Sequence, residues 1–151
     1  MMLRNVLIGL SLGALLTGTS VAEDVDAEAF IEYREDLMQS AKIHNKGISN
    51  ILKGKIAAQD SLVRHARTLH ELSMMFAESF PEGSDFGDTR AKDTVWSDPD
   101  AFQAALEKNQ TATAALVTAL QNPADSATVG DAVKAVGESC KGCHKKFRSK
   151  D

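Results

Sequence analysis

Apolar residues recur at helical spacing in four stretches of this chain, and no stretch shows the alternation that is typical of a strand. The first stretch covers roughly residues 26–52 and is followed by Gly54 as a stop signal. The second covers roughly residues 61–80, where Asp60 is the expected N-cap residue and Pro81 ends the pattern. Both stretches predict amphipathic helices with one apolar face.

Two further stretches follow in the C-terminal half of the chain. The third covers residues 99–122, with Asp98 as the expected N-cap and Pro99 at the first helical position, where its missing N–H costs nothing. Its predicted seam consists of Phe102, Leu106, Asn109, Thr113, Leu116 and Leu120. The fourth begins near residue 125 or 126 and runs to the C-terminus. Its apolar seam consists of Val129, Val133, Val136, Cys140, Cys143 and Phe147. Both cysteines of the chain therefore lie on the inward face of the last predicted helix.

Four amphipathic helices in one small domain predict an all-α fold, an antiparallel four-helix bundle with up-down-up-down topology. Cofactors in such bundles are held in the core by side chains of facing helices. The one long connection, residues 81–98, contains Phe86 and Trp96. We expect these aromatic side chains to pack this connection over one end of the bundle.

The N-terminus reads as a cleaved signal peptide over residues 1–22, which leaves residues 23–151 as a single domain. Arg4 supplies a positive charge, an apolar run follows, and Ala22 ends a stretch of small residues suited to a signal peptidase. A membrane anchor is the alternative, but the apolar run is short and glycines interrupt it. We therefore expect a periplasmic protein without a membrane span after cleavage.

Charge excludes one class of partner. The formal net charge is −4, and a mildly acidic chain gives no reason to expect nucleic acid as a partner. The acidic and basic residues are mixed along the sequence, so most of them are expected to form a solvated surface.

The pentapeptide from Cys140 to His144 is a C-x-x-C-H motif, the attachment signature of c-type haem. Its two thiols bond to the haem vinyl groups, and the adjacent histidine binds the iron as the proximal ligand. A zinc site, a redox dithiol and a disulfide are the alternatives. No second Cys/His pair has the spacing for zinc, no βαβ pattern surrounds the motif, and a disulfide leaves His144 without a role.

With this motif at the C-terminus of a predicted bundle, the chain resembles the class II cytochromes c, the cytochrome c′ family. Three stretches carry the resemblance: residues 137–148 around the motif, residues 87–90 with 95–98 before the third helix, and residues 33–38 in the first helix. The resemblance implies one covalent haem c anchored by Cys140 and Cys143, with His144 as proximal iron ligand. It also implies that Arg34 lies near a haem propionate.

Met38, four residues after Arg34, matches the position that faces the distal side of the iron in this family. A methionine there resembles the six-coordinate, low-spin branch, in which His/Met ligation raises the reduction potential. A core methionine that only packs is the alternative, and His44 is a rival ligand on periodicity alone. The prediction is therefore an electron carrier with His144 and Met38 as iron ligands. The alternative is a five-coordinate cytochrome c′ that binds nitric oxide or carbon monoxide.

These predictions describe a protein that is not an enzyme, since no distal acid–base pair is evident and a bound methionine would block a substrate. Its partners would be redox proteins, and the resemblance implies a homodimer through the first two helices. Four lysines near the motif could form a basic rim that attracts an acidic partner, or could simply be solvated; they are Lys141, Lys145, Lys146 and Lys150.

Overall fold

The computed structural model describes residues 26–122 and 126–150. Five helices follow one another: α1 (Ala27–Leu52), α2 (Leu62–Met75), a short α3 (Thr94–Ser97), α4 (Pro99–Gln121) and α5 (Ser126–Phe147). Within these residues there is no strand, and no helix is both long and apolar enough to cross a membrane. The predicted all-α four-helix bundle is confirmed. Residues 1–22, the predicted signal peptide, lie outside the described part of the chain.

Helix α1 begins and ends at residues that favour helix termini. Asp26 is the N-cap, and its Oδ1 accepts a hydrogen bond of 3.0 Å from the backbone N of Ala29. Gly54 follows the helix with a φ of 69°, the left-handed conformation that commonly terminates helices. Its backbone N donates to the carbonyl of Ile51, so one of the last helical carbonyls is satisfied.

The second helix is shorter than the sequence pattern predicts. Residues 59–61 form a 3₁₀ turn, so Ser61 and not Asp60 occupies the N-cap position. At the other end α2 stops at Met75, and a second 3₁₀ turn covers Ala77–Ser79. The hydroxyl of Ser79 donates to the carbonyl of Phe76, which favours the tighter turn before Pro81.

The helices pack in sequence order, α1 on α2, α2 on α4 and α4 on α5. One core cluster fills the end of the bundle around Ile48, Leu116 and Val136. A second cluster at the other end contains Leu37, Phe102 and Phe147. The predicted α4 seam is buried along its whole length; its members are Phe102, Leu106, Asn109, Thr113, Leu116 and Leu120. Helices α1 and α5 make few direct contacts, because a cavity lies between them.

The connection between α2 and α4 packs against the bundle as expected, with one exception. Trp96 of α3 contacts Phe80 edge-to-face at 6.2 Å, and its Nε1 donates to the carbonyl of Pro81 at 3.0 Å. Phe86 is 64% exposed, so the expectation that it packs over the bundle end is wrong. Buried Ser84 holds this part of the connection instead, through the hydrogen bonds that Arg34 makes to it.

Candidate haem site

A cavity of about 960 Å³ separates α1 from α5. This volume lies at the upper end of the range for small-molecule pockets, about 300–1,000 Å³. Its walls are mostly apolar and include Met38 on α1, Phe76 and Phe80 near the end of α2, and Phe102 on α4. The cavity is therefore a space in the bundle core, lined as a flat apolar cofactor requires.

The C-x-x-C-H motif forms one wall of this cavity. Cys140, Cys143 and His144 lie on the last turns of α5, and all three line the space. Because residues three and four positions apart share one face of a helix, the spacing of the motif brings both thiols and the imidazole to the same side. Both cysteines are half-buried and unbridged. Haem attachment needs two free thiols, so this state fits it.

Burial controls the protonation of these groups. It raises the pKa of the Cys143 thiol to about 11, and the neighbouring Cys140 adds to the shift. For His144, burial lowers the pKa, and the positive charges of Arg148 and Arg90 lower it further. The neutral imidazole is the form with a free lone pair for a metal. The surroundings of His144 therefore favour the state that binds iron.

Met38 lies on the opposite wall of the cavity, on α1. It is half-buried and packs against the second core cluster, to which Leu37 belongs. His44, the rival ligand, does not line the cavity; its Nδ1 lies 2.9 Å from Nδ1 of His65. Of the two side chains considered as distal ligands, only Met38 reaches the site, and it does so as part of an apolar wall.

Arg34 is buried beside the cavity, one helical turn before Met38. Its guanidinium donates hydrogen bonds to the carbonyl and hydroxyl of Ser84, at 2.6 and 2.9 Å. It also donates to the carbonyl of Ser79 and to Oγ1 of Thr89, at 3.3 and 3.0 Å. Burial lowers the pKa of Arg34, although an arginine remains charged at neutral pH. Arg34 therefore holds the connection between α2 and α4 against α1, a role that the sequence did not predict.

The same connection is bonded to the end of α5. The backbone N of Lys92 donates to the carbonyl of Phe147, and Ser149 N donates to the carbonyl of Arg90, both at 2.9 Å. Oγ1 of Thr94 donates to the carbonyl of Lys146 at 3.3 Å. The bonds from Lys92 and Thr94 satisfy carbonyls in the last turn of α5, which follows His144 directly, while the bond from Ser149 ties the segment after α5 to Arg90. The predicted motif face is thus held in place by a loop that lies about 50 residues away in sequence.

A buried amide supports the motif from α4. Nδ2 of Asn109 donates to Oγ of Ser139 at 2.9 Å and to Sγ of Cys140 at 3.6 Å. The sequence placed Asn109 on the α4 seam, but it gave no reason for a polar residue there. The one sequence signal for this contact was a polar residue on a face expected to be buried, because buried polar groups are generally hydrogen-bonded.

The side chains present fit a covalently bound haem. Two thiols and an imidazole share one wall, the remaining walls are apolar, and Arg90 and Arg148 line the same cavity. Cationic groups at the edge suit the carboxylates of a haem, while the apolar walls suit its porphyrin ring.

Comparison with known proteins agrees with this reading. The family model described as Cytochrome C′ matches residues 29–148. A cytochrome c′ from Rhodospirillum rubrum is 32% identical over 148 residues, with 97% of this chain and 99% of the relative covered. A cytochrome c-556 from Agrobacterium fabrum is 31% identical, with 91% and 92% covered.

Solved structures match as well. The cytochrome c′ from Rubrivivax gelatinosus has a TM-score of 0.74 and 31% identity, with 82% of this chain and 97% of that one covered. A cytochrome c′ variant from Alcaligenes xylosoxidans, solved as a nitric oxide complex, has a TM-score of 0.76 and 25% identity, with 85% and 100% covered. Another variant of that protein was solved with carbon monoxide bound.

These matches overturn the main functional prediction. The prediction of a six-coordinate electron carrier is wrong; the family and its structures support the alternative, a five-coordinate, gas-binding haem protein. His144 is the expected proximal ligand in both cases. The physical reason is that a methionine at a position matched by resemblance can pack against the core as readily as it can bind the iron, and the sequence does not distinguish the two. The haem c prediction itself is confirmed.

Proposed function

Because this chain belongs to the cytochrome c′ family, we propose that it binds a diatomic gas, nitric oxide or carbon monoxide, at a haem iron whose sixth position is open. The observation that carries the proposal is the cavity of about 960 Å³ between α1 and α5. One wall bears the attachment motif, and the facing wall bears Met38 in an apolar setting.

The residues of α5 have separate roles in this proposal. Cys140 and Cys143 hold the cofactor by two thioether bonds, and His144 supplies the proximal nitrogen. When bound, haem supplies the iron to which a diatomic gas can coordinate. Lys92 and Thr94 donate to α5 carbonyls just beyond His144, and this support favours a fixed orientation of the imidazole.

The side chain of Met38 limits what can enter from the other side. We assign it the role of an apolar wall that excludes water and larger molecules while leaving room for a diatomic gas. Its contact with the second core cluster supports this role, because a side chain packed there is restrained. The gas complexes of the Alcaligenes xylosoxidans relatives, at 25% identity, support the choice of ligand.

Arg34 has two roles in the proposal. It lines the cavity, where its charge suits a carboxylate of the cofactor, and it also holds the connection through Ser79, Ser84 and Thr89. The proposal concerns binding and not catalysis.

Export, assembly and reduction complete the proposal. Residues 1–22 direct the chain to the periplasm and are removed, and two copies associate through α1 and α2. Exposed Ile43 on α1 and Met74 on α2, at 56% and 52%, support this pairing.

A redox partner supplies the electron that carbon monoxide binding requires. Exposed Lys141 and Lys145 beside the motif are suited to the acidic surface of such a partner.

Optical spectroscopy of the purified holoprotein tests the proposal. The wild type and a Met38→Leu variant are recorded in the oxidised and reduced states, with and without carbon monoxide. Leucine matches methionine in volume, so it is a control that removes only the sulfur. We expect high-spin spectra from both proteins, and both reduced forms should shift on addition of carbon monoxide.

One result would contradict the proposal. If the wild type has low-spin spectra that do not respond to carbon monoxide, while the Met38→Leu variant binds it, the thioether fills the sixth position. Equal association rates for carbon monoxide in the two proteins would support an open site.

A further inference from the structure

Two histidines outside the haem site face each other at the interface between α1 and α2. Nδ1 of His44 on α1 lies 2.9 Å from Nδ1 of His65 on α2, and the ring centroids are 5.1 Å apart at an interplanar angle of 62°. Both residues are half-buried, and neither lines the haem cavity. The pair is therefore a separate cluster of nitrogen donors that the proposed function does not use.

The approach of these rings depends on a glycine. Gly47 lies one turn after His44, and a Cβ added to it would lie 3.1 Å from Cε1 of His65. Any side chain at this position would crowd the ring of His65 and force it to shift. With glycine there, His65 lies directly against the backbone of α1, which brings its Nδ1 to His44.

The short distance between the nitrogens has a chemical requirement. Two neutral imidazoles can approach at 2.9 Å only when one nitrogen donates its proton and the other accepts it. A divalent metal ion can take the place of that proton when the donor ring changes to the tautomer protonated on Nε2, because neutral imidazole binds metals through Nδ1 as well as Nε2. Burial and the neighbouring His65 both lower the pKa of His44, which keeps its ring neutral.

The spacing also selects among metals. With metal–nitrogen bonds of about 2.0–2.1 Å, two nitrogens 2.9 Å apart subtend an angle of about 90° at the metal. A tetrahedral zinc site needs nitrogens about 3.3 Å apart at the same bond lengths. An angle near 90° belongs instead to the square-planar or tetragonal geometry of Cu²⁺ and Ni²⁺, of which Cu²⁺ binds more tightly.

We infer that His44 and His65 form a binding site for Cu²⁺ that links α1 to α2. The two Nδ1 atoms are the protein ligands, and each ring turns so that its lone pair points at the metal. No cluster of three or more His, Cys, Asp or Glu side chains suited to a metal occurs among residues 26–122 and 126–150. Water therefore occupies the remaining positions.

Copper titration of the oxidised holoprotein tests this site. Calorimetry gives the stoichiometry and affinity, and electron paramagnetic resonance reports the nitrogen ligands of the bound Cu²⁺. The variants are His44→Gln and His65→Gln, in which glutamine retains hydrogen-bonding capacity at the helix interface. His70→Gln is the matched control, because His70 is a half-buried histidine on α2 that contacts Thr113 instead.

We expect the wild type and His70→Gln to bind one Cu²⁺ with coupling to two imidazole nitrogens. Changes in the outer shell of metal sites cost about 10- to 100-fold in affinity, so the loss of either ligand should weaken binding at least that much. Haem absorbance and helical circular dichroism verify that each variant is folded. If either variant is misfolded, a second measurement on the wild type replaces it. Diethyl pyrocarbonate modifies accessible histidines, and mass spectrometry then shows whether Cu²⁺ protects His44 and His65 from this modification.

The inference is overturned if the wild type binds no Cu²⁺, or if either His44→Gln or His65→Gln binds it as tightly as the wild type. It is also overturned if only His70→Gln loses the metal, or if Cu²⁺ leaves the reactivity of His44 and His65 unchanged. Haem binding is scored separately by absorbance, so this result is independent of the proposed gas binding.

Discussion

Replacing Arg34 with methionine is expected to release the connection between α2 and α4 from α1. Arg34 is 4% exposed, and its guanidinium donates four hydrogen bonds to residues of this connection. It also lies over the rings of Phe80 and Trp96, with Cζ 5.1 and 5.8 Å from their centroids. Methionine retains much of the apolar stem but supplies no donor.

The expected loss of stability follows from the groups left behind. Two backbone carbonyls, of Ser79 and Ser84, lose their guanidinium donors in a buried setting, at a cost of about 1–3 kcal/mol each. Loss of the cation–π contacts adds about 0.5–2 kcal/mol. Removal of a buried charge that has no carboxylate partner among these contacts offsets part of this sum. We therefore expect a net loss of about 2–4 kcal/mol in the free energy of unfolding.

Urea denaturation and hydrogen exchange of the holoprotein measure this effect. For a domain of this size, about 1 kcal/mol lowers Tm by about 4 °C, so the predicted loss corresponds to a decrease in Tm of about 8–16 °C. Amides of residues 84–92 should exchange faster, while those of α4 should be much less affected. Arg67→Met, on the exposed surface of α2, is the control. A loss below about 0.5 kcal/mol, the scale of ordinary surface substitutions, would refute the reasoning.

Three other substitutions test how much individual interactions contribute to the free energy of unfolding. Asn109→Leu should cost about 1 kcal/mol by removing the donor to Ser139 and Cys140, and an unchanged urea midpoint would count against a stabilising role for these bonds. Leu116→Ala, at a side chain 1% exposed, should cost about 2–5 kcal/mol in thermal or urea unfolding, and a loss under 1 kcal/mol would show that the core collapses around the gap. A hydrogen bond from Lys146 lowers the pKa of Asp98, so the carboxylate stabilises the fold at neutral pH. Asp98→Asn should therefore be slightly less stable than the wild type at pH 7. The difference should begin to shrink as the pH falls below about 3.9, the ordinary aspartate value, and should vanish below the lowered pKa of the folded state; a difference that persists in stronger acid would exclude the ion pair as its cause.

Local chemistry and periodicity made much of the molecule predictable from its sequence. The spacing of Cys140, Cys143 and His144 specifies the cofactor because one helical turn brings all three to the same face. The seam of α4 is buried as its pattern indicates, since the burial of a helix face depends mainly on which residues are apolar. Both features are contained in short stretches of chain, where the partners are close in sequence.

Tertiary structure decided the features whose partners are distant in sequence. Arg34 meets Ser79, 45 residues away, and this contact assigns its guanidinium to the connection between α2 and α4. Asn109 reaches Cys140 across 31 residues, and His44 reaches His65 across 21. Periodicity shows which face of a helix points inward, but packing between helices determines which side chains meet there. The family resemblance placed Met38 on the distal side of the haem site, and the structure has it on the wall of the cavity. Its role depends on the distance between two walls, which only the folded bundle sets.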